Sequence, residues 1–310
     1  MAQNPRRPSA PAPHAPRLEG VVIATFGRHF EVSTASGILR CVTRGKQNAY
    51  ACGDEIELTP TTAGEGVIEA LHPRRNLLWR SDAFRQKLLA ANLDQIIVVV
   101  ATEPGFSTLL ISRCLAAAES EGIDALIVLN KADLSAQLPP ARKRLHLFAT
   151  LGYPVLELCA LDGAAALAAQ IEGKKCLLVG QSGMGKSTLT NALTPEACAA
   201  TAAISIALDS GKHTTTLARL YPRGSGWLVD SPGLQAFGLA HLAPEHLAHA
   251  FIEFRPLLGQ CRFRDCRHDN EPGCALTAAS ASGVISSQRL AHYHAIRNEI
   301  AAARKANPGR

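Results

Sequence analysis

Four strongly apolar runs recur through the middle of the chain: Gln95-Ile-Ile-Val-Val-Val-Ala, Ala125-Leu-Ile-Val-Leu, Val155-Leu-Glu-Leu and Cys176-Leu-Leu-Val. They are continuous where a half-buried strand would alternate, so they are expected to lie in a parallel sheet covered on both faces. A helical stretch separates each from the next. Strand and helix alternating at this spacing build right-handed βαβ units and a doubly wound α/β sheet. With 310 residues and 47% hydrophobic content, the chain has room for roughly two or three cores, since domains commonly hold about 100 to 200 residues. Its aromatic share of 5% suits such a sheet better than an all-β fold.

The flanks have a different texture. Residues 1–16 are rich in Pro, Ala and Arg without periodicity, so a disordered tail is expected there; its Arg6 and Arg7 are free to meet RNA or only solvent. Between residues 20 and 70, five short β-rich runs alternate with turn signals, which predicts a small barrel. The run Ala51-Cys-Gly-Asp-Glu-Ile-Glu-Leu places a Gly-Asp turn before a strand, which favours an OB-fold over an SH3-like barrel. Arg28, Arg40, Arg44 and Lys46 would give it positive charge. Beyond residue 246 the alternation stops, and a helical domain is expected.

Charge and cysteine usage narrow the class. The formal net charge of +6 permits a polyanionic partner without requiring one. No apolar run reaches the roughly 20 residues of a membrane helix, and the first residues resemble no signal peptide, so a cytoplasmic protein with no membrane partner is expected, as a monomer. Nine cysteines in such a chain read as reduced thiols, except for a cluster near the C-terminus.

Gly180-Gln181-Ser182-Gly183-Met184-Gly185-Lys186-Ser187-Thr188 has the spacing Gly-x4-Gly-Lys-Ser, directly after one apolar run and at the start of a helical stretch. That is the context in which glycines let backbone N–H groups converge on phosphates. Lys186 would bridge the β- and γ-phosphates as a catalytic cation, and Ser187 would ligate Mg²⁺. Asp230-Ser231-Pro232-Gly233 closes a further apolar run, placing a carboxylate near Mg²⁺ and the Gly233 N–H near the γ-phosphate. Asn130-Lys131-Ala132-Asp133 ends the second run. Guanine offers N1–H and N2–H₂ side by side, a pair that the Asp133 carboxylate can accept and that adenine lacks. Asn130 would reach N7 and brace the phosphate loop, the Lys131 stem would cover the base, and the Cys159-Ala160 backbone fits the position that meets guanine O6.

The guanine reader precedes the phosphate loop, the reverse of the usual GTPase order, so the sheet is expected to be circularly permuted. A polar run, Ser210-Gly-Lys-His-Thr-Thr-Thr, lies between loop and Asp230. Leu234 follows Gly233 where many GTPases carry a water-orienting Gln, which leaves His213 as the nearest group for that role. A lone histidine is as readily structural. Cys261-x4-Cys266-x-His268-x5-Cys274 supplies three thiolates and an imidazole, the closed set of a structural Zn²⁺ site, with free core thiols as the alternative. Further on, Leu290, Tyr293, Ile296 and Ile300 recur at helical spacing, with Arg289, Arg297, Arg304 and Lys305 around them for RNA or solvent.

Taken together, these residues resemble the ribosome small subunit-dependent GTPase A family of bacteria. The match spans the barrel, the Ala90-Ala-Asn-Leu-Asp-Gln lead-in, Asn-Lys-Ala-Asp, the phosphate loop, Gly-Lys-His-Thr-Thr-Thr, Asp-Ser-Pro-Gly and the knuckle with Glu271-Pro-Gly-Cys. The resemblance implies a GTPase of late 30S maturation, stimulated by that subunit, that uses GTP or GDP with Mg²⁺ and contacts 16S rRNA. Family spacing selects Thr215 to complete the Mg²⁺ shell. The implied organisation is a tail over 1–16, an OB-fold barrel over 17–80, a permuted GTPase domain over 81–245 and a zinc-binding helical domain over 246–310. The run Ala207-Leu-Asp-Ser-Gly-Lys departs from the family's glycine-rich pattern. Two rivals are a P-loop ATPase or kinase acting on a metabolite and an RNA-binding scaffold with a structural nucleotide.

Overall fold

The computed structural model describes residues 16–45, 50–81, 86–195, 218–231, 239, 242–269 and 271–306. The five β-rich runs become β1 (Leu18–Phe26), β2 (His29–Thr34), β3 (Gly37–Thr43), β4 (Glu55–Pro60) and β5 (Glu65–Leu71). β1 pairs antiparallel with both β2 and β4, β2 with β3 and β4 with β5, while β3 runs parallel to β5. The ring β1-β2-β3-β5-β4 closing back on β1 is the order of an OB-fold, so the SH3-like alternative falls away. Val22, Phe30, Val32, Cys41, Ile56, Leu58 and Ile68 fill the barrel. The predicted Gly-Asp turn is present. Gly53 sits at φ +92, and Asp54 is fully buried, accepting from the Ala51 N–H and from two nitrogens of Arg74 at 2.7 Å.

β1 is irregular between Val22 and Ala24, where it leaves β4 and meets a strand of the sheet described next through the pair Ala24–Arg219. A bulge redirects a strand in this way. Val22 then faces the barrel core while Ile23 belongs to the larger core beyond. A hairpin that the apolar pattern did not announce, β6 (Leu77–Ser81) and β7 (Gln86–Ala91), follows the barrel.

The apolar runs form β8 (Gln95–Ala101), β9 (Asp124–Asn130), β10 (Val155–Glu157) and β11 (Lys175–Val179); β12 (Arg219–Arg223) and β13 (Gly226–Asp230) complete the sheet in the order β10-β9-β8-β11-β13-β12. The first five of these are mutually parallel, and β12 is antiparallel. Every residue of β8 and β11 is buried, as continuous apolar runs require. The strand late in sequence, β11, therefore lies between β8 and β13, which is the permuted arrangement.

Helices α1 (Thr108–Glu121), α2 (Leu138–Ala149), α3 (Ala165–Gln170) and α4 (Lys186–Leu193) follow strands of the sheet. α1 is bounded by local chemistry: the Ser107 side chain accepts from the Leu110 N–H, and Gly122 ends the helix at φ +64. The C-terminal part holds α5 (Pro244–His249), a 3-10 turn at Ile252–Leu257, α6 (Ala275–Ala281) and α7 (Ser287–Ala306). Leu290, Tyr293, Ile296 and Ile300 are buried as their spacing predicts, and Phe251 and Phe254 pack on Tyr293 with ring centroids 5.5 Å away.

Arg289 corrects the expectation of an outward arginine. It is 1% exposed, pairs with Glu253 at 2.6 Å, donates to Ser112 Oγ at 2.7 Å and stacks over Phe251 at 4.3 Å. A carboxylate, a hydroxyl and an aromatic face together replace the water that this cation loses. His292, one turn on, places Nδ1 2.8 Å from the same Ser112 Oγ. Among the described residues no helix is long and apolar enough to cross a membrane.

Candidate functional site

The C-terminal ends of β8, β9 and β11 lie side by side, so the turns after them share one edge of the sheet. Residues 180–185 join β11 to α4, which opens at Lys186. Gly180 (φ +155) and Gly185 (φ +87) tolerate no side chain: a Cβ on the first would strike the Val99 carbonyl, and on the second the Asn130 amide nitrogen. Lys186 Nζ donates to the carbonyls of Gly180 at 2.6 Å and Gln181 at 2.8 Å, folding its charge over the loop. Burial holds this ammonium below the ordinary lysine value, and Asp230 opposes the shift.

Asp230 ends β13 beside the loop. Burial pushes its carboxyl up, against Lys186 and the Ser231 N–H. A half-buried carboxylate facing an ammonium at the first turn of α4, with the Ser187 hydroxyl next in sequence, is a donor set that fits a hard cation such as Mg²⁺. His213, Thr215 and Gly233 lie outside the described residues.

Asn130 joins the two recognition segments. Its Nδ2 donates to the Met184 carbonyl of the phosphate loop at 2.9 Å, and its Oδ1 accepts from the Ala160 N–H at 2.9 Å. The bracing expected of Asn130 is present, and the Ala160 N–H expected near guanine O6 is engaged by Asn130. Cys159 sits against Asp133: hydrogen bonding to that carboxylate is the main cause that raises its thiol. Lys131 adopts φ +61 and sends Nζ to the Glu103 carbonyl at 2.8 Å.

A third segment, 102–107 after β8, went unassigned in the sequence. Thr102 Oγ1 donates to the Lys131 carbonyl at 3.0 Å, Pro104 packs under Gly183, and the Ser107 N–H donates to Gln181 Oε1 at 2.8 Å. Arg144 of α2 holds the segment through the Phe106 carbonyl and ring. The available signal was positional, since Thr-Glu-Pro-Gly is a turn at the C-terminal end of a buried strand, where ligands of such sheets bind.

The cysteine cluster assembles as expected. The sulfurs of Cys261, Cys266 and Cys274 stand 3.5, 3.7 and 3.6 Å from His268 Nδ1, and the four ligand atoms lie within 4.8 Å of one another. A tetrahedral ion with Zn–S near 2.3 Å and Zn–N near 2.0 Å would put each sulfur about 3.5 Å from the nitrogen. Burial keeps His268 below the ordinary imidazole value, leaving its lone pair available. Glu271 accepts from the Arg267 and Asp269 N–H groups at 2.9 and 2.6 Å, shaping the knuckle.

Residues 71–240, more than half of the chain, match the model of the RsgA GTPase family. The chain belongs to the RsgA GTPase family. It is therefore a GTP-hydrolysing enzyme that uses a guanine nucleotide and Mg²⁺. Among similar proteins, the small ribosomal subunit biogenesis GTPase RsgA of Paraburkholderia phymatum is 53% identical over 89% of this chain and 90% of its own. That of Nitrosomonas europaea is 51% identical with the same coverage. The crystal structure of YjeQ from Thermotoga maritima superposes with a TM-score of 0.72 at 32% identity, covering 92% of this chain and 98% of that one. YloQ, described as a circularly permuted GTPase, gives 0.69 at 25% identity over 95% and 98%.

Proposed function

We propose that this RsgA-family enzyme hydrolyses GTP in late maturation of the 30S ribosomal subunit, with turnover stimulated by that subunit. The reading rests on one geometric observation, the Asn130 side chain tying the guanine segment to the phosphate loop, together with the shared name of its curated relatives. The OB-fold barrel (17–80) and the C-terminal helical part (246–310) flank the GTPase portion (81–245) and are the surfaces assigned to 16S rRNA. The enzyme acts as a cytoplasmic monomer. Neither the metabolite kinase nor the scaffold reading has an observation in its favour.

Bound GTP with Mg²⁺ supplies the γ-phosphate and the divalent charge that polarises it. Asp133 accepts the paired guanine donors, and Cys159 holds that carboxylate in place. The Lys131 stem covers the base, and Asn130, fixed by Met184 and Ala160, keeps its second Nδ2 hydrogen for the base. The glycine loop presents the N–H groups of residues 180–188 to the phosphates. Lys186 leaves its loop carbonyls to neutralise charge between the β- and γ-positions. Ser187, Thr215 and Asp230 would hold the cation, and the Gly233 N–H would meet the γ-phosphate. His213 orients the attacking water in place of the glutamine displaced by Leu234, which makes intrinsic hydrolysis slow. Cys261, Cys266, His268 and Cys274 hold one structural Zn²⁺; four protein ligands leave no open position for catalysis.

Phosphate release with purified 30S subunits, 50S subunits or neither tests the reading. Stimulation by 30S alone is expected, by at least about 10-fold given what supplied transition-state groups contribute in GTPases. Stimulation by 50S alone would overturn the partner and leave the chemistry intact.

A further inference from the structure

At the opposite edge of the sheet from the nucleotide loops, where β8 and β9 begin, lies a cavity of about 500 Å³ walled by Gln95, Glu119, Asp124 and Tyr153. That volume falls within the range of small-molecule pockets, about 300 to 1,000 Å³. Among the described residues no lysine or arginine lines it, although the chain carries a formal net charge of +6.

Its electrostatics are set by the backbone as well. Gly122 and Gly152, which follow the C-terminal ends of α1 and α2, both line the cavity. Two helix C-termini, each partially negative, therefore converge on one space. Glu119 is already satisfied by the Tyr153 hydroxyl at 3.1 Å and Arg255 at 2.6 Å. Asp124 is exposed and has no salt-bridge partner among the described residues.

The second observation is independent of that field. Gln95 is 6% exposed, and its Oε1 has no hydrogen-bond partner. A buried amide oxygen without a donor costs free energy, and such atoms are rare. The terminal amide torsion of a glutamine is soft, so the oxygen can turn toward a donor in the cavity.

We propose that this cavity binds a protonated aliphatic amine, its ammonium hydrogen-bonded to Gln95 Oε1 and balanced by Asp124 at the mouth. Leu151 and Ile252 offer apolar wall for the methylenes. A single bare metal ion would leave most of the volume unfilled. The site is independent of GTP binding, because neither Gln95 nor Asp124 touches the nucleotide loops.

Calorimetric titration of butane-1,4-diamine into the full chain at fixed ionic strength tests this, with butane-1,4-diol and KCl as controls. Saturable one-site binding is expected for the diamine alone. Gln95→Met should weaken it by about tenfold or more, the usual worth of a hydrogen bond to a charged group, and Asp124→Asn by about two- to fivefold, the worth of an exposed ion pair. Melting temperatures separate lost binding from lost fold: Gln95→Met removes an unpartnered polar atom and should not lower it, and Asp124 is exposed. No saturable heat, or equal affinity in the wild type and both variants, overturns the proposal.

Discussion

Gly185 is the residue at which the base-reading and phosphate-reading segments touch. Any side chain there displaces the Asn130 amide and is strained by φ +87. Gly185→Ala should therefore disturb two Asn130 hydrogen bonds at once and weaken GDP binding by about 100-fold or more, on roughly 1 to 2 kcal/mol for each effect. Titration with a fluorescent GDP derivative measures this; an affinity within threefold of wild type would mean the collision is relieved cheaply. At this scale the site was legible wherever residue type dictates chemistry. Asp133, Lys186 and the four cluster ligands could be named because few other side chains accept paired donors, neutralise phosphate or bind a soft metal. Gln181 and Cys52 could not be read in the same way. Gln181 matters through a bond to the Ser107 N–H, and Cys52 through a thiol donated to the Ala218 carbonyl at 2.9 Å. Both partners are far away in sequence.

Among the described elements, α1 ties the phosphate loop to the C-terminal helices. Its capping residue Ser107 is held by the phosphate loop, and its middle is bonded to α7 through Ser112, Arg289 and His292. Burial first, and then Arg289, bring His292 down to about 4 from 6.5. Between those values the folded protein keeps the ring neutral while the unfolded chain takes up a proton. Stability then falls as pH drops from 6.5 toward 4, with a slope of up to about one proton from this group. Urea midpoints measured across that range should decline less steeply for His292→Gln than for the wild type, the two running parallel above pH 7. Equal slopes throughout would place the lost stability on other groups. The apolar stripe of α7 was plain in its helical spacing, but Arg289 on the same helix was not. A buried arginine looks like a surface one until Glu253, Ser112 and Phe251 are found around it.

For the molecule as a whole, sequence texture gave the pieces more readily than their order. Continuous apolar runs identify buried strands, yet they are alike, and nothing in Cys176-Leu-Leu-Val says that β11 belongs between β8 and β13. That placement comes from backbone pairing, to which every residue type but proline contributes alike. The cysteine cluster lies at one end of a core shared by the sheet and the C-terminal helices. A strong chelator should therefore lower the melting temperature and loosen residues 261–274, as read by amide exchange, while GDP binding at the distant edge persists; unchanged exchange would show that the knuckle stands without metal. The central position of β11 also orders events during synthesis. A chain emerging N-terminus first completes the barrel, then β8, β9 and β10, while one backbone edge of β8 waits unpaired until residues 175–179 leave the exit tunnel. Each nascent copy passes through an interval in which its guanine reader exists without a phosphate loop and an unpaired strand edge is presented to the crowded surroundings.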